Sequence, residues 1–193
     1  MKRTILLPLF ILAICSCANK DAQMVKKYLE ENDDLFAHPK VEVFSCENLG
    51  MQYSPFDELM SIFLTKSQVL QNGTQKLTDA VQISNRANRR KAIQEVIDML
   101  QEEYDNPRLG DVANAISLPE RSATLYPDKV NHVAIKASYA VEGRKGEEIF
   151  YLAPDGKSVN GRAATSQEAY ENAAELNNRI FRLINEAKEW MKY

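Results

Sequence analysis

Two histidines, one cysteine far from the N-terminus, four adjacent pairs of identical acids and one basic cluster are the groups in this chain that could do chemistry. A zinc centre draws its ligands from His, Cys and carboxylates at recognisable spacing. His38 precedes Pro39 in an expected loop, and His132 opens an expected strand. Neither a His-x-x-x-His nor a His-Glu-x-x-His pattern accompanies them. Cys46 would act as a nucleophile only if a base and a positive field lowered its pKa. Nothing adjacent in sequence supplies either, so we expect a small buried hydrophobe. The Gly-x-Ser-x-Gly elbow of serine hydrolases is missing. Gly143 and Gly146 belong to an expected hairpin and cannot aim a helix N-terminus at phosphate.

The pairs of identical acids are Glu30-Glu31, Asp33-Asp34, Glu102-Glu103 and Glu147-Glu148. A glycosidase needs two carboxyls about 5–10 Å apart across a cleft. Spacing along the chain does not define that geometry, and solvated helix ends or turns account for all four pairs. Arg86, Arg89 and Arg90, followed by Lys91, share one face of an expected helix. They could meet an anion or a protein partner, although a solvated surface is the plainer reading. Tyr126, Tyr139 and Tyr151 could line a sugar-binding sheet face or pack in a core. Trp190 is in phase with Leu183 and Ala187, which predicts a core position. The sequence thus nominates no catalytic residue, no metal ligand and no cofactor-binding residue.

The N-terminus carries a different kind of signal. Lys2 and Arg3 precede a short apolar run, Thr4 to Ile14, which Pro8 interrupts. A membrane-crossing helix needs about 20 apolar residues, so this run is too short to be a permanent span. Ile14-Cys15-Ser16-Cys17 resembles the lipobox of bacterial lipoproteins, which is aliphatic, variable, small, then Cys. The resemblance implies a signal peptide over 1–16, cleavage after Ser16 and lipid attachment at Cys17. Cys15 is the rival site, but it would put bulky Ile14 where the family has a small residue. An ordinary secretory signal is the other alternative. The chain is similar in general look to small envelope lipoproteins of Bacteroidota. By the sorting rule of bacterial lipoproteins in general, in which Asp after the Cys favours the inner membrane, Ala18 implies the outer membrane. The mixed Asn19-Lys20-Asp21 implies its periplasmic face, with cell-surface exposure open.

If the signal is removed, Lys2 and Arg3 leave with it, and the formal charge moves from −3 to −5. A mildly acidic surface disfavours nonspecific nucleic-acid binding, which depends on neutralising phosphates. It also disfavours a polybasic membrane contact. With Cys15 removed and Cys17 acylated, Cys46 has no disulfide partner within the chain.

The expected organisation is a lipidated tether over 17–23 and a single globular domain over 24–193. A helix is expected over Met24–Phe36, then a strand over Lys40–Cys46. Ser54 and Pro55 read as the cap and first residue of the next helix, which Asn72-Gly73 should end. A further helix runs from about Lys76 to Tyr104, with a polar stretch over Ser84–Lys91 that could conceal a break. Asp105–Asp128, with three prolines, is too long for a simple connection and is a candidate contact surface. Alternation in Val133, Ile135, Ala137, Tyr139 and Val141 predicts a strand. A turn over Gly143–Gly146 and a return strand at Glu148–Leu152 follow. Pro154-Asp155-Gly156 turns the chain again toward Lys157–Val159. Thr165 or Ser166 should cap a final helix. The predicted class is α+β: an antiparallel sheet of three or four strands with helices on one face, long helices before the meander and one C-terminal helix.

Two functions remain open. One is a membrane-anchored envelope lipoprotein that binds a protein or a small ligand without catalysis. The alternative is a hydrolase on a cell-wall or dietary polymer, with a site assembled from distant residues.

Overall fold

The computed structural model describes residues 20–32 and 37–193. The signal peptide, Cys17, Asp33-Asp34 and Phe36 lie outside the described residues. The chain is α+β with a four-stranded antiparallel sheet, and its long C-terminal helix is present. The described residues form two compact units. One takes 20–54 together with Leu118–Thr165; the other takes Pro55–Ser117 together with Ser166–Tyr193.

The first unit is a helix on a sheet. Residues 20–31 are helical (α1). Strands β1 (Val41–Gln52), β2 (His132–Val141), β3 (Arg144–Leu152) and β4 (Val159–Arg162) follow one another in space in that order. Period-two alternation in β2 sends Ile135 and Ala137 to the face that α1 covers with Val25 and Leu29, and Phe150 and Leu152 join them from β3. Ala134, Ile149 and Tyr151 form a second cluster. Val141 pairs with Arg144, so the hairpin loop is Glu142-Gly143 alone. Both loop residues have positive φ, 49° and 77°, the signature of a type I′ turn whose twist suits the strands. The turn is therefore tighter than the Gly143–Gly146 expected. Gly146 lies inside β3 beneath the Tyr139 ring, where a Cβ would come within 2.8 Å of that ring.

β1 extends six residues beyond Cys46, with irregularities between Val43 and Ser45 and between Asn48 and Gly50. The first leaves Phe44 without a partner residue and 56% exposed. Bulges of this kind twist an edge strand and discourage pairing with another chain.

The second unit is helical. α2 (Phe56–Val81) runs straight through Asn72-Gly73, which does not end it. Gly73 is buried, and a Cβ there would sit 2.7 Å from Leu100 Cδ2. The glycine lets two helices approach and does not terminate one. The break falls instead after Val81, and Asn85 caps α3 (Arg86–Tyr104) by accepting from the Asn88 N–H at 3.0 Å. Ser54 is not the α2 cap. Its backbone N–H and C=O are both taken by the Asn131 side chain, at 2.8 and 3.0 Å, and Pro55 occupies the cap position.

Asp105–Asp128 is not an open loop. It holds α4 (Arg108–Ser117) in the second unit, with Val112 and Ala115 buried. In the first unit it holds α5 (Ser122–Leu125), flanked by 3-10 turns at Pro119–Arg121 and Pro127–Lys129. Pro starts each 3-10 turn, where its missing N–H costs nothing. Ser122 ties the segment down: its hydroxyl donates to Gln52 Oε1 at 3.0 Å and accepts from the Tyr53 N–H at 3.1 Å.

The last helix, α6, spans Ala163–Trp190 and begins before Thr165 and Ser166. The Glu148 carboxylate on β3 accepts from the Ala164 N–H, so a distant acid serves the exposed donors of the first turn. In the second unit Leu183, Ile184 and Ala187 are buried as expected, whereas Trp190 is 44% exposed. Met191 continues the packed stripe in its place. A step of three residues from Ala187 overshoots the stripe backwards, and a step of four keeps to it.

Candidate functional site

The groups singled out by type are mostly engaged structurally. His38 is exposed. His132 points Nδ1 at the Leu152 carbonyl oxygen, 2.9 Å away, so that nitrogen carries the proton. Cys46 is half-buried. Burial, and then the charge of Asp21, pushes its thiol above the ordinary value, the opposite of what activates a nucleophile. Among the described residues no group of three or more His, Cys, Asp or Glu is placed to hold a metal ion. No helix among them is long and apolar enough to cross a membrane.

Among the described residues the acid pairs take separate partners. Glu30 and Glu31 face Lys26 and Lys27 on α1 at 3.7 and 3.8 Å. Glu102 is exposed, but Glu103 pairs with Lys66, an ammonium only 1% exposed. Lys66 Nζ reaches Glu103 Oε1 and the Glu103 carbonyl, both at 3.0 Å, and Asn177 Oδ1 at 2.8 Å. Its three donors are thereby matched. Glu147 and Ser138 meet at 3.0 Å, and Lys136 sits between Glu120 and Glu147 at 2.7 and 3.1 Å. Glu148 serves Tyr139, Arg162 and the start of α6.

The basic cluster also has a structural task. Arg89 Nη2 donates to the Tyr193 carbonyl at 3.2 Å and Arg90 Nε to the Met191 carbonyl at 3.1 Å. Cations belong at this end, where carbonyls lack partners and the helix dipole is negative. The tyrosines pack. Tyr126 lies against Tyr53 with ring centres 5.4 Å apart, and Tyr139 meets Phe150 edge-on at 5.8 Å. Tyr151 is buried, and burial pushes its hydroxyl up to about 12.

What the sequence did not single out is a groove in the second unit. It lies between α2 and α6 and has a volume of about 570 Å³, within the range of small-molecule sites. Leu70 and Leu176 give it apolar walls. Ser67, Gln71 and Asn72 present hydroxyl and amide groups, Gln75 adds an amide whose Nε2 already donates to Asp79 Oδ1 at 2.9 Å, and Arg179 adds a guanidinium. No carboxylate is among its lining residues. Such a set recognises by hydrogen bonds and one positive charge. Ser67, Gln71 and Gln75 recur at helical spacing, as do Met60 and Leu64 on the same face one and two turns earlier. Both of these are exposed apolar side chains, Leu64 by 55%. Periodicity makes this stripe visible only after the length of α2 is known. With α2 ended at Gly73, Gln75 belongs to another element.

Smaller recesses also occur among the described residues. In the second unit, about 420 Å³ lies between α2 and α3, with Ala80, Ile83 and Val96 as its floor. In the first unit, about 320 Å³ lies between α1 and the β3–β4 turn, edged by Lys20, Lys27, Glu31 and Lys157.

No protein-family model matches the chain. Neither a curated protein nor a solved structure matches it.

Proposed function

We propose that this chain is a membrane-anchored envelope lipoprotein whose folded part binds a ligand and does not catalyse a reaction. The anchor is the acylated Cys17, and the location is the periplasmic face of the outer membrane. The supporting observation is the α2–α6 groove, whose hydroxyl, amide and guanidinium groups suit a polar ligand that carries one anionic group. Apolar walls exclude water from part of that ligand, and the side-chain amides both donate and accept. Arg179 supplies the charge-assisted contact that separates an acid from its neutral analogue. A protein partner that presents a polar, acidic segment would satisfy the same groups, and Met60 and Leu64 would extend that contact.

Two measurements test the reading. Cys17→Ser should abolish acylation and move the protein from the membrane to the soluble fraction; a variant that stays on the membrane overturns the anchor. Ligand-observed NMR with glucuronate and glucose as probes tests the groove. Binding of glucuronate in preference to glucose, weakened about tenfold by Arg179→Ala, supports it. Equal responses to both sugars, or no effect of Arg179→Ala, counts against it.

A further inference from the structure

The position of α1 carries a consequence for how the first unit meets the bilayer. Residue 20 is already helical, and α1 is not a loose appendage: Val25 and Leu29 are buried in the core on the sheet. Lys20 Nζ reaches the Gly156 carbonyl oxygen at 3.4 Å, so the start of α1 sits beside the β3–β4 turn. Past α1 the chain arrives at the opposite end of the sheet. There Lys40 exchanges hydrogen bonds with Glu142 of the β2–β3 turn, the Glu142 N–H donating to the Lys40 carbonyl and the Lys40 N–H to Glu142 Oε1. The two turns are separated by the length of β3, about 30 Å for nine residues.

From Cys17 to Lys20 the chain advances three residues, which span at most about 11 Å even when fully extended. We infer that the end of the first unit formed by the start of α1 and the β3–β4 turn rests against the headgroups of the bilayer that holds the Cys17 acyl chains. The β2–β3 turn then projects into the aqueous space. The inference rests on the anchor proposed above and adds an orientation to it. The partner is a lipid surface. Lys20 and Lys157 at this end are matched by Asp21 and Asp155, and Lys27 pairs with Glu31, so charge neither drives nor opposes the contact. The chains themselves supply the hold, because several acyl chains anchor stably where one does not.

Native lysines report on both ends: Lys20 and Lys157 at the near one, Lys40 and Lys145 at the far one, all four exposed. The full acylated chain in vesicles of phosphatidylethanolamine and phosphatidylglycerol, and the soluble Cys17→Ser chain, are acetylated side by side and mapped by mass spectrometry. The expected result is labelling of Lys20 and Lys157 at least threefold slower on vesicles, with Lys40 and Lys145 unchanged. Four equal rates, or slowing at Lys40 and Lys145, overturns the orientation while the anchor stands. Slow Lys20 and Lys157 in the soluble chain as well means that protein covers this end, and also overturns it. An N-terminal peptide without acyl mass brings down the anchor and the orientation together.

Discussion

Gly73 and Leu100 meet so closely that a Cβ on Gly73 would lie 2.7 Å from Leu100 Cδ2 and 3.3 Å from its Cγ. Two effects of Gly73→Ala oppose each other. The helix interior gains about 1 kcal/mol from replacing glycine. Overpacking a filled core costs about 1–3 kcal/mol, and Leu100 is fully buried. We expect a net loss of about 1 kcal/mol, read by urea unfolding. In a Leu100→Ala background the clash is gone, and the same change should stabilise by about 1 kcal/mol. Equal effects in the two backgrounds would show that the close approach is not what the glycine provides.

Lys66 and Glu103 should behave as a coupled pair. Glu103→Ala leaves a buried ammonium without its counter-charge, which costs about 3 kcal/mol or more. Replacing both partners, as Lys66→Met with Glu103→Leu, should return the protein to within about 1 kcal/mol of the parent. The comparison is made by chemical denaturation. A double variant as unstable as the single one would mean that Asn177 and the Glu103 carbonyl, not the carboxylate, carry the cluster.

Stability should depend on pH through Lys136 and Glu147. Hydrogen bonds from Lys136 and then Ser138 hold the Glu147 carboxyl below its ordinary 4.5. Hydrogen bonds to Glu120 and Glu147 hold the Lys136 ammonium above its ordinary 10.5. A carboxyl lowered on folding contributes stability that is complete above 4.5 and fades as the pH falls through its folded value. An amine raised on folding contributes stability that is complete below 10.5 and fades as the pH rises through its folded value. Carboxyl-carbon NMR should place the Glu147 midpoint below that of an isolated glutamate, and Lys136→Met should move it back. A midpoint indifferent to Lys136→Met would remove this contact from the pH dependence.

Much of the local structure was legible in the residues because it rests on short-range physics. The β2 alternation predicted that Ile135 and Ala137 would share a face of the strand; that α1 covers this face with Val25 and Leu29 came only with the structure. The misplaced helix ends share one cause. Asn72-Gly73, Ser54, Thr165 and Ser166 are all residues that commonly end or begin helices, and each was overruled by a distant partner: Leu100 for Gly73, Asn131 for Ser54, Glu148 for the start of α6. Trp190 failed through geometry alone, because a stripe continues by Met191 when the step from Ala187 must be four.

The groove was not legible for a related reason. Its lining comes from two helices about one hundred residues apart in the chain, and Gln71, Asn72 and Gln75 carry no signature until α6 is laid beside them. Polar residues on a helix look the same whether they face water or line a ligand site.

By itself the sequence determined the α+β class, the meander, the apolar faces of the helices and the lipobox-like start, since these depend on periodicity and neighbouring residues. Only the tertiary structure decided where α2 stops, which acid caps α6, how an interrupted chain makes two compact units, and which polar side chains converge. Those outcomes are set by contacts between residues far apart in the chain, and a Cβ clash or a hydrogen bond across that distance outweighs a local preference of about 1 kcal/mol.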